Sequence, residues 1–404
     1  MIVMMICHYD DTNSSGGLDK QARLLSRTMR AAGHNVVMLA STRKWARTGW
    51  TNDEGVPVRF FWAYASPQVS GRYFLASLIW AAQLLLWVVI NRNKISVLHC
   101  HQIRIHSFVA AIASRLFNIP SVLKSGTGGD GADIKAISSR KYFGAPGGRF
   151  IVKNCTCFIA TTASIEDDLV SYGVDSRKIA RIPNGLRLPR FSRARPERAR
   201  ASKALFLSRL APDKNAPALA RAALEWTLST HFQVDFWGQG HMKQELEKVI
   251  AASGKQSQVR YCGFTEHPGE ILETYGYLLL PSNAEGLSNS MLEAMAHGVV
   301  PVTTRVSGCV DHIRPGVTGF FFDGVDHRRL LLGLEQLESL SAEQWQRISQ
   351  AVRLYAYDRF DIANVMNGYV DLYKSLLEKA GEPWATCASQ QISRPPLREV
   401  QNLP

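Results

Sequence analysis

The chain alternates, twice over, between short apolar runs of strand character and amphipathic helical patterns, and few architectures accept that order. In the first half the runs are IVMMIC, NVVMLA, SVLHCH, PSVLKS and CTCFIAT. Between the first two lies GLDKQARLLSRTMRAAGH, with Leu18, Ala22, Leu25 and Met29 on one helical stripe and Gly33 as a stop. This is a βαβ series, which winds into a parallel sheet with helices on both faces. A basic, Pro-containing stretch at 187–203, RLPRFSRARPERARASK, breaks the pattern and reads as a linker or solvated loop. The alternation then restarts with ALFLSRL, QVDFWGQG, VRYCGF, GYLLLPS and VVPVTT. Two doubly wound, Rossmann-like α/β domains facing a central cleft follow, each binding at the carboxyl ends of its strands. The expected boundaries are 1–190 for the first domain and 191–380 for the second, whose last helix is free to pack back on the first. Residues 381–404 form a polar tail expected to be disordered.

A chain of 404 residues, 46% hydrophobic and 20% charged, is long enough for two real cores and excludes disordered and fibrous classes. Its net charge of +13 suits a protein that handles phosphorylated substrates or rests on an anionic membrane face. Nucleic acid is not expected as a partner: zinc-finger spacing, an RNP motif and a heptad-plus-basic region are all absent, and the positive charge reads as spread along the chain. The seven cysteines (Cys7, Cys100, Cys155, Cys157, Cys262, Cys309, Cys387) form no C-x-x-C pair and lie mostly in apolar runs. They read as reduced, buried thiols of a cytoplasmic protein, with the cytoplasmic membrane face as a peripheral contact. MIVMMICHYDD lacks a basic n-region and a cleavage site and reads as a first buried strand. YFLASLIWAAQLLLWVVI, residues 73–90, is flanked by Arg72, Arg92 and Lys94 and interrupted by Ser77 and Gln83. It falls short of the roughly twenty residues of a span, so a buried or membrane-touching helix is expected.

The segment EGLSNSMLEAMAHGVVPV, residues 285–302, sets Glu285 and Glu293 eight positions apart around Ser288-Asn289-Ser290. A continuous helix turns about 100° per residue, so eight steps leave the two side chains roughly 80° apart. If a helix starts near Ser288 or Asn289, Glu285 lies in the preceding loop and Glu293 about one turn inside, and both flank an N-terminus suited to an anion. The plainer alternative is a capping box of Ser290 and Glu293, with Glu285 solvated. Upstream, LSRLAPDKN puts Arg209 and Lys214 on a loop between strand and helix, where both can reach one diphosphate; in isolation they would read as ordinary surface cations. GTGGDG at 126–131 satisfies the dinucleotide fingerprint G-x-G-x-x-G, yet it follows a late strand and no Asp or Glu occurs between Asp133 and Glu166. A glycine loop facing the cleft is the better reading. In VLHCH, alternation puts His99 and His101 on one face, His99 deeper and suited to the core, His101 at the strand's end.

With PNG at 183–185, GQG at 238–240, PSNAEGLSNSMLEAMAHG and TGFFFDG at 318–324, the Arg-x4-Lys pair and the downstream Glu-x7-Glu resemble the GT-B glycosyltransferases of family GT4. The resemblance runs to about residue 380. It implies a GT-B fold and a retaining glycosyltransferase that moves a sugar from a nucleotide-sugar to an acceptor hydroxyl, plausibly of a lipid-linked or polysaccharide precursor. Glu285 would contact the donor sugar, with His101 beside the reacting centre, and Glu293 would bind the ribose hydroxyls. The backbone amides of Leu287, Ser288 and Asn289 would hold the diphosphate opposite Arg209 and Lys214, with Gly16 and Gly17 letting the backbone approach it. No cofactor is implied, the nucleotide-sugar being substrate, and no metal, since fixed dipoles and two cations serve the leaving group and no D-x-D occurs. Ser125-Gly126-Thr127-Gly128 stands where family members often carry His-Gly-x-Asp. The rival functions are a nucleotide-sugar epimerase of the same fold and a non-catalytic nucleotide-sugar-binding protein.

Overall fold

The computed structural model describes residues 1–5, 17–64, 74–128, 132–139, 144–189, 201–252 and 258–378, with only the backbone of Leu18. Gly16, Cys7, Cys387, most of the basic stretch, the last three residues of GTGGDG and the polar tail lie outside the described residues. Two compact units emerge, one of residues Met1–Gly185 joined by the helix Ile362–Glu378, the other of residues Leu186–Asp361.

The first unit is built on eight strands: β1 (Ile2–Met5), β2 (Val36–Thr42), β3 (Gly49–Asp53), β4 (Val56–Trp62), β5 (Val97–His101), β6 (Ser121–Lys124), β7 (Cys157–Ala160) and β8 (Ile179–Arg181). Their order is β3-β4-β2-β1-β5-β6-β7-β8, and every pair is parallel except β3 with β4. Helices cover both faces, which is why β1 reads as an unbroken apolar run: Val3 and Met5 face one core and Met4 the other. Helix α1 (Gly17–Ala31) buries Ala22, Leu25 and Met29 with Met4, and Tyr369, Tyr373 and Leu376 of the helix Ile362–Glu378 complete that layer. On the other face, α2 (Phe74–Asn91) and α3 (Ile105–Phe117) pack Trp80, Leu84, Val88 and Val109 against Leu98. The β3–β4 hairpin escaped the sequence reading. Its two-residue loop, Glu54-Gly55, has φ of 48° and 89°, the left-handed pair that closes tight hairpins, and the signal was the EG of NDEGVPV.

The apolar segment at 73–90 forms a helix that, by length and composition, is long and apolar enough to cross a membrane. Yet it is α2, which connects β4 to β5, and both strands belong to one sheet, so the chain has no reason to cross a bilayer between them. Gln83 fixes it there by donating to the carbonyl of Trp62 at 2.8 Å.

The second unit has six strands, all parallel: β9 (Lys203–Leu207), β10 (Gln233–Trp237), β11 (Val259–Gly263), β12 (Tyr277–Leu280), β13 (Val300–Thr304) and β14 (Phe320–Phe322), in the order β11-β10-β9-β12-β13-β14. The last helix expected of the second domain is preceded by another, Ala342–Phe360 and Ile362–Glu378 being parted at Asp361, whose ψ of 124° is not helical. That one residue carries the chain from the second unit back to the first. In both sheets the order of the parallel strands reverses once, between β1 and β5 and between β9 and β12. Loops leaving adjacent carboxyl ends there diverge and leave a crevice, the place where such sheets bind ligands.

Candidate functional site

In the second unit the loops at the reversal point follow β9 and β12. The β9 loop is held from beside: Ser208 and Leu210 donate backbone hydrogen bonds to the carbonyls of Trp237 (3.2 Å) and Gln239 (2.9 Å), and Met242 donates to that of Leu210 (2.9 Å). This close approach explains GQG. Gly238 and Gly240 have φ of 149° and 150°, and a Cβ on them would lie 1.9 Å from the Ser208 oxygen and 2.4 Å from the Leu210 oxygen. Arg209 stands on this clamped segment with its side chain exposed.

A 3-10 turn, Pro212–Lys214, follows and ends in Asn215, which is left-handed (φ 53°) and starts the helix Ala216–Trp226. Asn215 Nδ2 donates to the Pro281 carbonyl at 2.8 Å and to Asn283 Oδ1 at 3.0 Å, while the Asn283 amide donates to the Asp213 carbonyl at 2.8 Å. The β9 and β12 loops are thereby laced together. Lys214, only 5% exposed, sends its ammonium to Glu285 Oε1 (2.9 Å), Asp213 Oδ2 (3.0 Å) and the Ala284 carbonyl (3.0 Å). Three protons meet three acceptors, which is what a buried ammonium needs. The Ser282 hydroxyl donates to the same Oε1 at 2.8 Å, and Ser282 is itself fixed through its carbonyl by the Thr304 hydroxyl. Gly308 completes the support: a Cβ there would lie 2.3 Å from the Gly286 oxygen and 2.8 Å from Leu287 Cα, so the loop of Glu285 rests on bare backbone. Burial beside Glu285 pushes the Cys309 thiol up to about 12, keeping it protonated and inert.

The helix Asn289–Ala296 begins where the carboxylate spacing required. Ser288 is the N-cap, its hydroxyl accepting from the Met291 amide at 3.4 Å, so Glu285 lies in the loop and Glu293 one turn inside. A Ser290–Glu293 capping box does not form. With the cap at Ser288 the reciprocal position is Met291, which has no acceptor. Leu287 and Ser288 are buried, and Asn289 and Glu293 are half-buried. The second unit therefore brings Arg209, Lys214, Glu285, Leu287, Ser288, Asn289 and Glu293 to the β9–β12 reversal point. Lys214 enters it as the partner of Glu285, a pairing the sequence reading did not foresee.

In the first unit Gly17 is the first residue of α1. His101 ends β5, beside the reversal point, and is buried. Its ring stacks on His99 at 4.4 Å, and neither of its nitrogens has a hydrogen-bond partner among the described residues. Burial, with His99, Lys124 and His106 close by, holds His101 well below the ordinary range, so the ring is neutral. His99 has the structural part expected of it, its Nδ1 lying 2.6 Å from the Tyr373 hydroxyl. Lys124 pairs with His101 across β5 and β6, lies over the Tyr369 ring at 5.7 Å, and is pushed down to about 7 by burial. The sequence reading passed over it, although a lone cation inside the apolar run PSVLKS was the signal. The glycine loop after β6 is tied to Asp133, whose carboxylate accepts from the Gly126 amide (2.7 Å) and the Thr127 hydroxyl (3.0 Å).

Residues 16–185 match the glycosyl transferase 4-like domain and residues 190–354 the glycosyl transferases group 1 domain. The chain is 22% identical to an uncharacterized glycosyltransferase of Methanocaldococcus jannaschii, over 91% of this chain and 96% of that one. It is 25% identical to a glycogen synthase of Pseudomonas fluorescens, over 40% of this chain and only 31% of that protein. Among solved structures, Anabaena HepE in complex with UDP-glucose shares the fold with a TM-score of 0.71 at 15% identity, over 93% of this chain and 99% of that one.

Proposed function

Because the chain is a group 1 glycosyltransferase of GT4 type with the GT-B fold, we propose that it transfers a sugar with retention from a nucleotide-sugar donor to an acceptor hydroxyl, without a metal ion. One observation carries this reading: Arg209, Lys214, Glu285 and the N-terminus of the helix Asn289–Ala296 gather where strand order reverses between β9 and β12. As the bond between the anomeric carbon and the phosphate oxygen breaks, its electron pair leaves with the nucleoside diphosphate. Two cations on one side, with the dipole of a helix N-terminus on the other, stabilise that charge without having to reorganise. Glu285, fixed by Ser282 and Lys214, faces the donor sugar, and Glu293, a turn further, the ribose. His101, which the resemblance sets beside the reacting centre, is a neutral imidazole. The acceptor proposed is a polysaccharide or glycolipid precursor, in keeping with the glycogen synthase relative.

A thermal-shift screen against UDP-, GDP- and ADP-sugars identifies the donor, since a ligand at a hundred times its dissociation constant stabilises by about 2.7 kcal/mol. Arg209→Ala then tests the phosphate grip. Its side chain is exposed, so the variant keeps its Tm, while turnover falls about 10²-fold. Undiminished turnover would remove Arg209 from the site, and isomerised donor formed without any acceptor would favour the epimerase.

A further inference from the structure

The positive charge is not spread along the chain as its composition first implied. Residues 20–129 hold fourteen Lys and Arg against two acidic residues, Asp53 and Glu54, a surplus of twelve out of the net +13. Both acids are already engaged, Asp53 with Arg23 and Arg27, Glu54 with Arg27 at 2.7 Å. The same stretch carries α2, whose two faces differ. Trp80, Leu84 and Val88 point into the core, while on the opposite side Leu75, Leu78, Ala82, Leu86 and Ile90 recur every three or four residues in the open, Leu86 61% and Ile90 70% exposed.

That stripe continues onto the sheet edge. Trp87 of α2 meets Trp50 of β3 edge-on at 6.5 Å, and Trp45 meets Trp62 of β4 at 5.5 Å, leaving Trp45 72% and Trp50 55% exposed. Cations frame it: Arg43, Lys44 and Arg47 flank Trp45, Arg59 lies over Trp50 at 5.9 Å, and Arg92 and Lys94 stand exposed at the end of α2. We propose that this face of the first unit, the outer stripe of α2 with the tryptophans of the β3–β4 edge and the cations around them, docks on the surface of an anionic lipid bilayer. Tryptophan suits the headgroup boundary because its ring is apolar and its N–H is polar, leucine and isoleucine reach the acyl layer, and arginine and lysine meet the phosphates. A second copy of the chain fits the stripe less well, because two such faces would oppose like charges. The inference stands apart from Arg209, Lys214, Glu285 and Glu293, the proposed donor residues of the second unit.

The test uses the full chain and vesicle sedimentation. Vesicles of phosphatidylcholine with about 30% phosphatidylglycerol are compared with pure phosphatidylcholine at about 50 and 500 mM NaCl, salt that shortens the screening length severalfold. The expected result is binding to the anionic vesicles that drops at least tenfold in the higher salt. Arg92→Gln with Lys94→Gln should weaken it about fivefold per cation. Leu86→Glu with Ile90→Glu should abolish it while leaving the Tm and the thermal shift given by nucleotide-sugar unchanged, which keeps folding and the donor reading separate from the outcome. No binding at low salt, or equal binding by both variants, overturns the proposal. So does a dimer in light scattering that Leu86→Glu dissolves, which would make a second copy the occupant.

Discussion

Glu285→Gln should tighten the binding of free nucleoside diphosphate while it cripples turnover. In the structure Glu285 already occupies one of the three protons of Lys214, at 2.9 Å. A phosphoryl oxygen that displaces Asp213 from its proton of that tetrahedral ammonium sits about 5 Å from the Glu285 carboxylate, by the geometry of two acceptors at about 3 Å. Two unit negative charges at that distance repel by about 3 kcal/mol at an effective dielectric constant of 20, and by about half that with freer solvent access. Gln keeps the shape and can still accept from the Ser282 hydroxyl and Lys214, so removing the charge lowers the dissociation constant about 10- to 100-fold. The donor sugar loses its carboxylate contact, so turnover falls by about 10² or more. Asp213 and the Ala284 carbonyl still serve Lys214, which limits the stability loss to about 1–2 kcal/mol, a few degrees in Tm. Isothermal titration with the nucleoside diphosphate, beside steady-state turnover of the nucleotide-sugar, reads both quantities. An unchanged or weaker dissociation constant in a folded variant refutes the idea that Glu285 and the diphosphate share Lys214.

Gly308→Ala, whose Cβ would lie 2.3 Å from the Gly286 oxygen, should displace the Glu285 loop, costing about 1–3 kcal/mol of stability and weakening donor binding; calorimetry and titration of the variant check both. Activity should survive EDTA, because Arg209, Lys214 and a helix N-terminus are placed to do a metal's work; loss that Mg²⁺ or Mn²⁺ restores would count against that mechanism. Lys124 releases its proton near pH 7 in the folded protein but only near 10.5 when unfolded, so its burial penalty is fully present below pH 7 and disappears as pH rises towards 10.5. Lys124→Met should therefore raise the Tm at pH 6 by several degrees, with a gain that shrinks towards pH 10. The difference between variant and wild type isolates this group from Asp19, whose half-buried carboxyl is pushed up to about 7 by desolvation. An unchanged pH slope in thermal unfolding would show that the Lys124 ammonium stays charged in the fold.

Local periodicity determined the elements. Strands buried on both faces must be apolar throughout, as VVMLA and YLLL are, and a helix with one buried face must repeat near 3.6, as Ala22, Leu25 and Met29 do. The N-cap at Ser288 was legible for the same reason, since a cap acts on amides two or three residues away. The hairpin turn Glu54-Gly55 and the break at Asp361 were as local but weaker, one dipeptide and one non-helical residue against long patterns on either side.

What joins distant parts of the chain was decided only by the tertiary structure. Lys214 meets Glu285 because β9 and β12 are neighbours, and strand order is settled by how whole sheets bury their faces, which no local pattern records. The same holds for Lys124 under Tyr369, a contact that exists only because the helix Ile362–Glu378 returns to the first unit. The run at 73–90 shows the division most plainly. Its composition said apolar, but a residue's burial depends on what packs against it, and only the sheet decided that Trp80 faces a core while Ile90 faces solvent.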